Sequence, residues 1–529
     1  MKMKRLNKIW MVLIAILVAV PSCTDDYLEV EVVDSITEEN FYKTDEQFLS
    51  GTATLYGASF FKVNDKFTYS LDMLAGNSIG FVSDTPWKTF TVDTNNGTLY
   101  EGWSGLYRGI ADANQILKML ARERDNRDIS TEVRNRVEAE ARFARAFSYY
   151  WLVRLWGPVP VIDKVTSDTS ELYRLNTVES IYDFIEQDFL KAAELLPLAS
   201  VDMRRIGKTA PWAYLAEMHL TKREYDKAAE FAKLVIDSGI HSLQPTYEEQ
   251  FINPSASINS ETIYAWQWKV NCGRWGSQNT NQAYLARFGE GITGDDGAFS
   301  SVTPSIDLYY AFDRIKQPDD VDNRRKFIIM EPDQFYPELK TAQGGYTFPN
   351  SKNVSGTFMG YRKYVVGSEN EHPNVCFMRT EMSTQMMRYA DVLMVYAEAI
   401  MGNADSTTDA DALDALNQVR SRAGLPNRTL ITKQSIIEER RIEFAIEGGK
   451  FWMDLLRIDR NLANDLLRDQ NRGTLISYDP FVEGEEAVRL GNVVDGLEFL
   501  LPLPAGDLSF IDTQNPPVVY EPQEELNND

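Results

Sequence analysis

Two stretches of the chain set aromatic rings among amides, carboxylates and guanidinium groups. One is Asn77–Asn96, with Asp84, Trp87 and Phe90. The other is Arg274–Glu290, with Arg274, Trp275, Gln278, Asn279, Asn281 and Tyr284. A pyranose has an apolar face that stacks on an aromatic ring. Its hydroxyls bond to amides, carboxylates and guanidinium groups. Trp or Tyr in a loop beside Asn, Asp, Gln or Arg meets both demands. Trp87, Trp275, Asp84, Arg274, Asn279 and Tyr284 are the expected ligand contacts. Large aromatics also cap helical cores, and that competing reading applies to Trp87 and Trp275.

Other chemistry is less well supported. Glu438, Glu443 and Glu447 could pair as acid and base. However, Glu439 and Glu443 lie one helical turn apart, among Arg440 and Arg441. That spacing suits ion pairs within and between helices. Arg388, Glu398, Arg420 and Arg422 take the same structural reading. Asp295-Asp296, Asp319-Asp320-Asp322 and Asp405/Asp409/Asp411 are hard oxygen donors, but none follows the EF-hand pattern. They read as solvated surface. The three histidines, His219, His241 and His372, form no HExxH. No Gly-x-Ser-x-Gly elbow and no P-loop is present. No enzyme, metal site or cofactor is expected.

The charge balance narrows the partners. The 529 residues carry 54 Lys+Arg against 78 Asp+Glu, a net −24, with 43% apolar and 12% aromatic residues. This is a globular composition. Its pI of about 4.7 argues against binding nucleic acid or a polyanionic lipid surface by charge.

The N-terminus reads as a signal peptide over 1–22. Lys2, Lys4, Arg5 and Lys8 precede the apolar run Ile9–Val20. That run is short of the roughly 20 residues of a membrane span. Cys23 follows Ser22, the arrangement of bacterial lipoprotein processing, with acylated Cys23 as the first mature residue. Val20-Pro21-Ser22 makes the lipobox loose. Removal of the four cations takes the net charge from −24 to −28. Cys272 and Cys376 could pair only if their Cα atoms came within about 7 Å. Two buried thiols are expected.

Periodicity places the elements. Gly102–Leu120, Glu132–Trp156 and Val178–Leu196 each carry an apolar stripe at spacings of three and four. A further hairpin spans Ala210–Gly239. There Trp212, Leu215, Ala216 and His219 fit the first-helix template of a tetratricopeptide repeat, with small Ala228 and then Ala232 in the second helix. The stretch 240–380 is rich in Gly, Pro, Asn and aromatics, with strand-like runs at Thr262–Trp268 and Tyr361–Val366. Helices return at Met387–Met401, Ala410–Ala423, Ser435–Glu447 and Phe451–Arg457. Residues 458–500 read as loop. Trp103, Trp151, Trp156, Trp212 and Trp452 are expected in the core, and at least one of Trp266 and Trp268.

Four blocks, in order, resemble the SusD/RagB family of Bacteroidetes outer-membrane nutrient-binding lipoproteins. They are ARFARAFSYYWLVRLWGPVP (141–160), RYADVLMVYAEAI (388–400), LNQVRSRAGLP with EERRIEFAIEGGKFWMDLLR (416–457), and LPLP followed by QNPPVVY (501–520). Pro517 stands where the family usually has Gly. Asp25 and Asp26 resemble the acidic export tag of such lipoproteins.

The resemblance implies a mostly α-helical SusD-like fold. Tetratricopeptide-like hairpins form the scaffold, with loop-rich insertions and a few short strands. The expected layout is an N-terminal region over 23–239 and a C-terminal region over 240–529. The latter holds the insertion 240–380, the hairpins 387–457 and an irregular tail. The implied role is capture of a glycan at the cell exterior and delivery to a SusC-like TonB-dependent transporter, with an outer-membrane anchor through Cys23. A RagB-like peptide-binding member is the alternative, and a purely structural partner of the transporter is a third. The acidic surface points to a neutral or cationic ligand.

Overall fold

The computed structural model describes residues 41–80, 85–165, 172–273, 276, 278–294, 297–473, 488–489, 494 and 496–521. The first elements are α1 (Asp45–Thr52), a π-helical turn (Val63–Phe67), α2 (Thr68–Leu74), β1 (Ser78–Gly80) and α3 (Thr85–Thr89). Two 26-residue helices follow, α4 (Gly97–Arg122) and α5 (Thr131–Trp156). Asn96 caps α4 by accepting from the Leu99 N–H, and Ser130 caps α5 by accepting from Val133. Both side chains satisfy amides that no helical carbonyl can reach. Gly102 faces the Phe67 ring so closely that a Cβ there would lie 2.4 Å from it. This close crossing brings the first turns of α4 against the π-helical turn.

The short strand β2 (Tyr173–Arg174) leads to α6 (Val178–Leu195), then α7 (Thr209–Thr221) and α8 (Tyr225–Asp237). Ala228 and Ala232 are fully buried, the small-residue crossing that the repeat template requires. His219 is buried beneath Phe231, with Nδ1 2.7 Å from the Glu224 carboxylate.

The loop-rich middle contains β3 (Thr262–Trp266), α9 (Asn281–Leu285), β4 (Val302–Pro304) and α10 (Ile306–Arg314). β4 runs antiparallel to β1, with Ile79 opposite Thr303. The run expected as a strand over Tyr361–Val366 pairs only at Gly360–Tyr361. Beyond it Tyr364 takes a positive φ, and Lys363 turns inward to the Glu447 carboxylate. A second expectation is also corrected. Cys272 and Cys376 form a disulfide with Cα atoms 5.7 Å apart. Antiparallel pairing of Asn279 with Thr380 draws the two segments together. An oxidised pair fits an exported chain.

The last third holds β5 (Thr384–Arg388), paired with β3, then α11 (Tyr389–Met401), α12 (Ala410–Arg422), α13 (Lys433–Glu443) and α14 (Lys450–Arg457). A further helix, α15 (Arg460–Arg468), starts at an Asp459 cap inside the stretch expected as loop. The strand β6 (Ile511–Asp512) returns to lie parallel to β2. One large apolar core joins α2 and α4–α8 to α11–α14. Trp103, Trp151, Trp156, Trp266, Trp268 and Trp452 are buried in it, and Trp212 packs partly buried against it.

The charge-dense block is structural. Arg388 sits fully buried among Glu261, Glu443 and Glu447, with Nη1 3.0 Å from Glu443 and Nε 2.7 Å from Glu447. Arg422 and Arg324 also reach Glu443, and Arg324 and Arg420 share Glu439. Arg457 grips Glu398 with both terminal nitrogens. Burial alone would raise the Glu443 carboxyl. The surrounding Arg422, Arg388 and Arg324 outweigh it and hold the group at about 2. Asp322, expected on the solvated surface, is buried against Arg324 at 2.7 Å.

Candidate binding site

The candidate site forms where four distant segments meet. The π-helical turn supplies Lys62 just before it, then Asp65 and Lys66. The first turn of α4 supplies Tyr100 and Glu101, and α9 supplies Tyr284 with Thr280 just before it. The strand-like strap 299–301 supplies Phe299. Its backbone is tied to α9 by three hydrogen bonds: Phe299 N to Ala283 O, Ser301 N to Tyr284 O and Ser300 N to Ala286 O, at 2.7, 2.8 and 3.1 Å. The strap then runs into β4, whose pairing with β1 anchors it to the scaffold.

Asp65 organises the polar side. Its carboxylate accepts from the Thr280 hydroxyl at 2.7 Å and from the Tyr284 phenol at 3.1 Å to each oxygen. Burial raises the Asp65 carboxyl above its ordinary value, and those two donors oppose the rise. Burial raises Glu101 as well, against the pull of Lys66 and Lys62. The Tyr284 phenol is pushed upward by burial and by the charge of Asp65.

The aromatic side is open. Tyr284 lies 5.7 Å from Phe299, ring to ring, and Phe299 is 41% exposed. Lys66 Nζ sits 5.9 Å from the Tyr284 ring centre. Tyr100, 40% exposed, lies under Lys62 Nζ at 6.0 Å and against Gly506 of the tail. The corner therefore offers ring faces, carboxylates and ammonium groups within one half-open surface. That set can stack an apolar sugar face and bond its hydroxyls.

Of the residues expected from sequence, Tyr284 stands in this corner. Asn279 does not reach it. Its Nδ2 donates to the Met382 carbonyl at 2.5 Å and to Thr384 Oγ1 at 3.2 Å, while Oδ1 accepts from the Asn281 N–H at 2.7 Å. It braces the loop and offers nothing to a ligand. Trp87 is only 1% exposed and sits edge-on to Phe67 at 5.9 Å, so in this conformation it has no free ring face. Core packing wins there because α3 lies across α2. Asp84, Arg274, Trp275 and Cys23 lie outside the described residues, as do Asp295 and Asp296. Among the described neighbours in sequence, Cys272 is bonded to Cys376 and Asn279 pairs with Thr380. Asp65, Lys66, Tyr100, Glu101, Thr280 and Phe299 were not singled out by sequence. A faint signal existed at Tyr100, which breaks the apolar stripe of α4 outward while Leu99 and Trp103 point in. Among the described residues no group of three or more His, Cys, Asp or Glu is placed to hold a metal. No described helix is long and apolar enough to cross a membrane.

Helical hairpins carrying a loop-built, aromatic corner define a scaffolded binding protein. Comparison with known proteins gives its family. Residues 26–220 match the model described as "Starch-binding associating with outer membrane", and residues 249–513 match that of the SusD family. A SusD-like protein of Bacteroides ovatus is 28% identical over 84% of this chain and 81% of its own. One of Formosa agariphila is 26% identical over 91% of this chain and 97% of its own. A crystal structure with a xylogluco-oligosaccharide matches at TM-score 0.80 and 27% identity, covering 90% of this chain and all of the other. A SusD-like carbohydrate-binding protein of Bacteroides fragilis shares the fold at TM-score 0.70 and 20% identity, over 89% of this chain and 98% of its own. The chain belongs to the SusD family of binding proteins.

Proposed function

We propose that this protein captures a glycan at the cell surface and passes it to a SusC-like TonB-dependent transporter, while acylated Cys23 holds it to the outer membrane. The observation that carries the reading is the Tyr284–Phe299 corner with Asp65 bonded behind it. Two adjoining rings form a platform, and Asp65, Glu101, Lys62 and Lys66 surround it with partners for hydroxyls. Family membership and the oligosaccharide held by a relative of the same fold support the ligand class. Trp275 is the proposed further stacking residue, with Arg274 next to it in the sequence.

The test is calorimetric titration of residues 24–529 with fragments of xyloglucan, laminarin, starch and host glycans, alongside a mixed peptide pool. Saturable heat with a glycan is expected. Binding confined to peptides would overturn the reading in favour of an oligopeptide-capturing protein.

A further inference from the structure

We propose that the turn Leu198–Met203 is a membrane-contacting tip that dips into the lipid surface beside the Cys23 anchor. The inference rests on the anchored, surface-exposed reading above. Leu198 is 43% exposed, Met203 62% and Val201 fully so at 102%. Three large aliphatic side chains standing in water within six residues differ from the scattered apolar residues of an ordinary surface.

The tip is held out by its base. Asp202 Oδ1 accepts from the Arg204 N–H at 2.9 Å, and the Asp202 carbonyl accepts from Arg205 N–H at 2.9 Å. The Arg204 carbonyl accepts from Gln267 Nε2. The Ile206 N–H donates to the Tyr56 hydroxyl at 3.0 Å, and Lys208 N–H to the Pro197 carbonyl at 2.8 Å. Every one of these bonds is spent inside the turn or against the scaffold. The apolar side chains are therefore presented, and they do not fold back.

The position of the turn selects the occupant. Arg205 clamps it to α1 and α5, donating to the Leu49 carbonyl at 2.6 Å and Thr52 Oγ1 at 2.9 Å on the first and to Glu140 at 2.6 Å on the second. α1 has eight residues, about 12 Å of helix. The turn is thus tied to the first helix after Phe41, where the described chain begins on the side of Cys23. The 17 residues between Cys23 and Phe41 reach at most about 60 Å. A body of net charge −28 is repelled by anionic headgroups, so charge cannot bring it down to the bilayer. Apolar insertion can, with exposed Arg204 at the headgroup level.

The test labels a single introduced thiol. The native cysteines are used up if Cys23 is acylated, because Cys272 and Cys376 are bonded to each other. Mass spectrometry of the N-terminal peptide establishes acylation first, and an unmodified Cys23 would overturn the proposal at its premise. Val201→Cys and the distant control Val321→Cys, 70% exposed in the native chain, are labelled with bimane in the full acylated protein. The protein is then reconstituted into phosphatidylethanolamine–phosphatidylglycerol vesicles. The label at 201 is expected to shift to shorter wavelength and to be quenched by doxyl lipid, while that at 321 stays aqueous. Equal, aqueous behaviour at both positions overturns the proposal. So does a shift at 201 that requires co-reconstituted transporter, which would make the tip a protein contact.

Discussion

The ionic centre around Arg388 and the corner around Tyr284 use the same residue types to opposite ends. At the centre, Arg388, Glu443, Glu447 and Lys363 are fully buried and bonded to one another. At the corner, Asp65 is tied to a phenol and a hydroxyl, Lys62 and Lys66 lie over rings, and ring faces remain in water. Charges that satisfy each other make structure. Charges and rings left half open make a binding surface. Charge density alone does not separate the two, because the denser cluster is the structural one.

Breaking the centre should have the largest effect. Glu443→Ala leaves Arg388, Arg422 and Arg324 short of a buried partner and should cost about 3–5 kcal/mol, read by denaturant unfolding. The same group gives the centre a pH signature. Glu443 is held at about 2, below its ordinary 4.5. Its contribution is therefore complete above about pH 4.5 and drains as pH falls toward 2. Asp307, held at about 2 by Arg441 and Arg314 against its burial, acts in the same window. Acid titration of the wild type should show this loss, and Glu443→Ala should blunt it.

The Cys272→Ser/Cys376→Ser pair comes next. Their bond closes a span of 104 residues, and its loss should cost about 2–4 kcal/mol, seen as a lower melting temperature. If loop order matters to the ligand, affinity should fall as well. Truncation at the corner is the third effect. Phe299→Ala should weaken glycan binding by about 1–3 kcal/mol with little change in melting temperature. A stability loss without an affinity loss would place Phe299 with the core instead.

The fourth effect sharpens the contrast by its sign. Burial pushes Asp72 up to about 7, above its ordinary 3.8. Its contribution is complete below about pH 3.8 and is lost as pH rises through 7. Asp72→Asn should remove this acid-to-neutral slope, on the order of 1–3 kcal/mol between unfolding curves at pH 5 and pH 8.

Much of the scaffold was legible because helical periodicity is local. The stripes of Phe143, Phe147 and Tyr150, and the small Ala228 and Ala232, predict their own burial. α15 was missed because its helical pattern is only nine residues long, although Leu462, Ala463, Leu466 and Leu467 do repeat at helical spacing within it. The disulfide was missed because Cys272 and Cys376 meet only through the antiparallel return of a long loop. The corner was the least legible part. Lys62–Lys66, Tyr100–Glu101, Thr280–Tyr284 and Phe299 lie in four segments, and no local pattern records that the strap will dock on α9. Trp87 shows the converse: a loop-like composition placed it at the surface, and the packing of α3 on α2 buried it.

The most direct test of the binding claim is a crystal structure of the protein with the glycan that gives saturable heat. The account predicts a sugar ring stacked in the Tyr284–Phe299 corner, with hydroxyls bonded to Asp65, Glu101 or the neighbouring lysines. Sugar density elsewhere, with that corner empty, would contradict it.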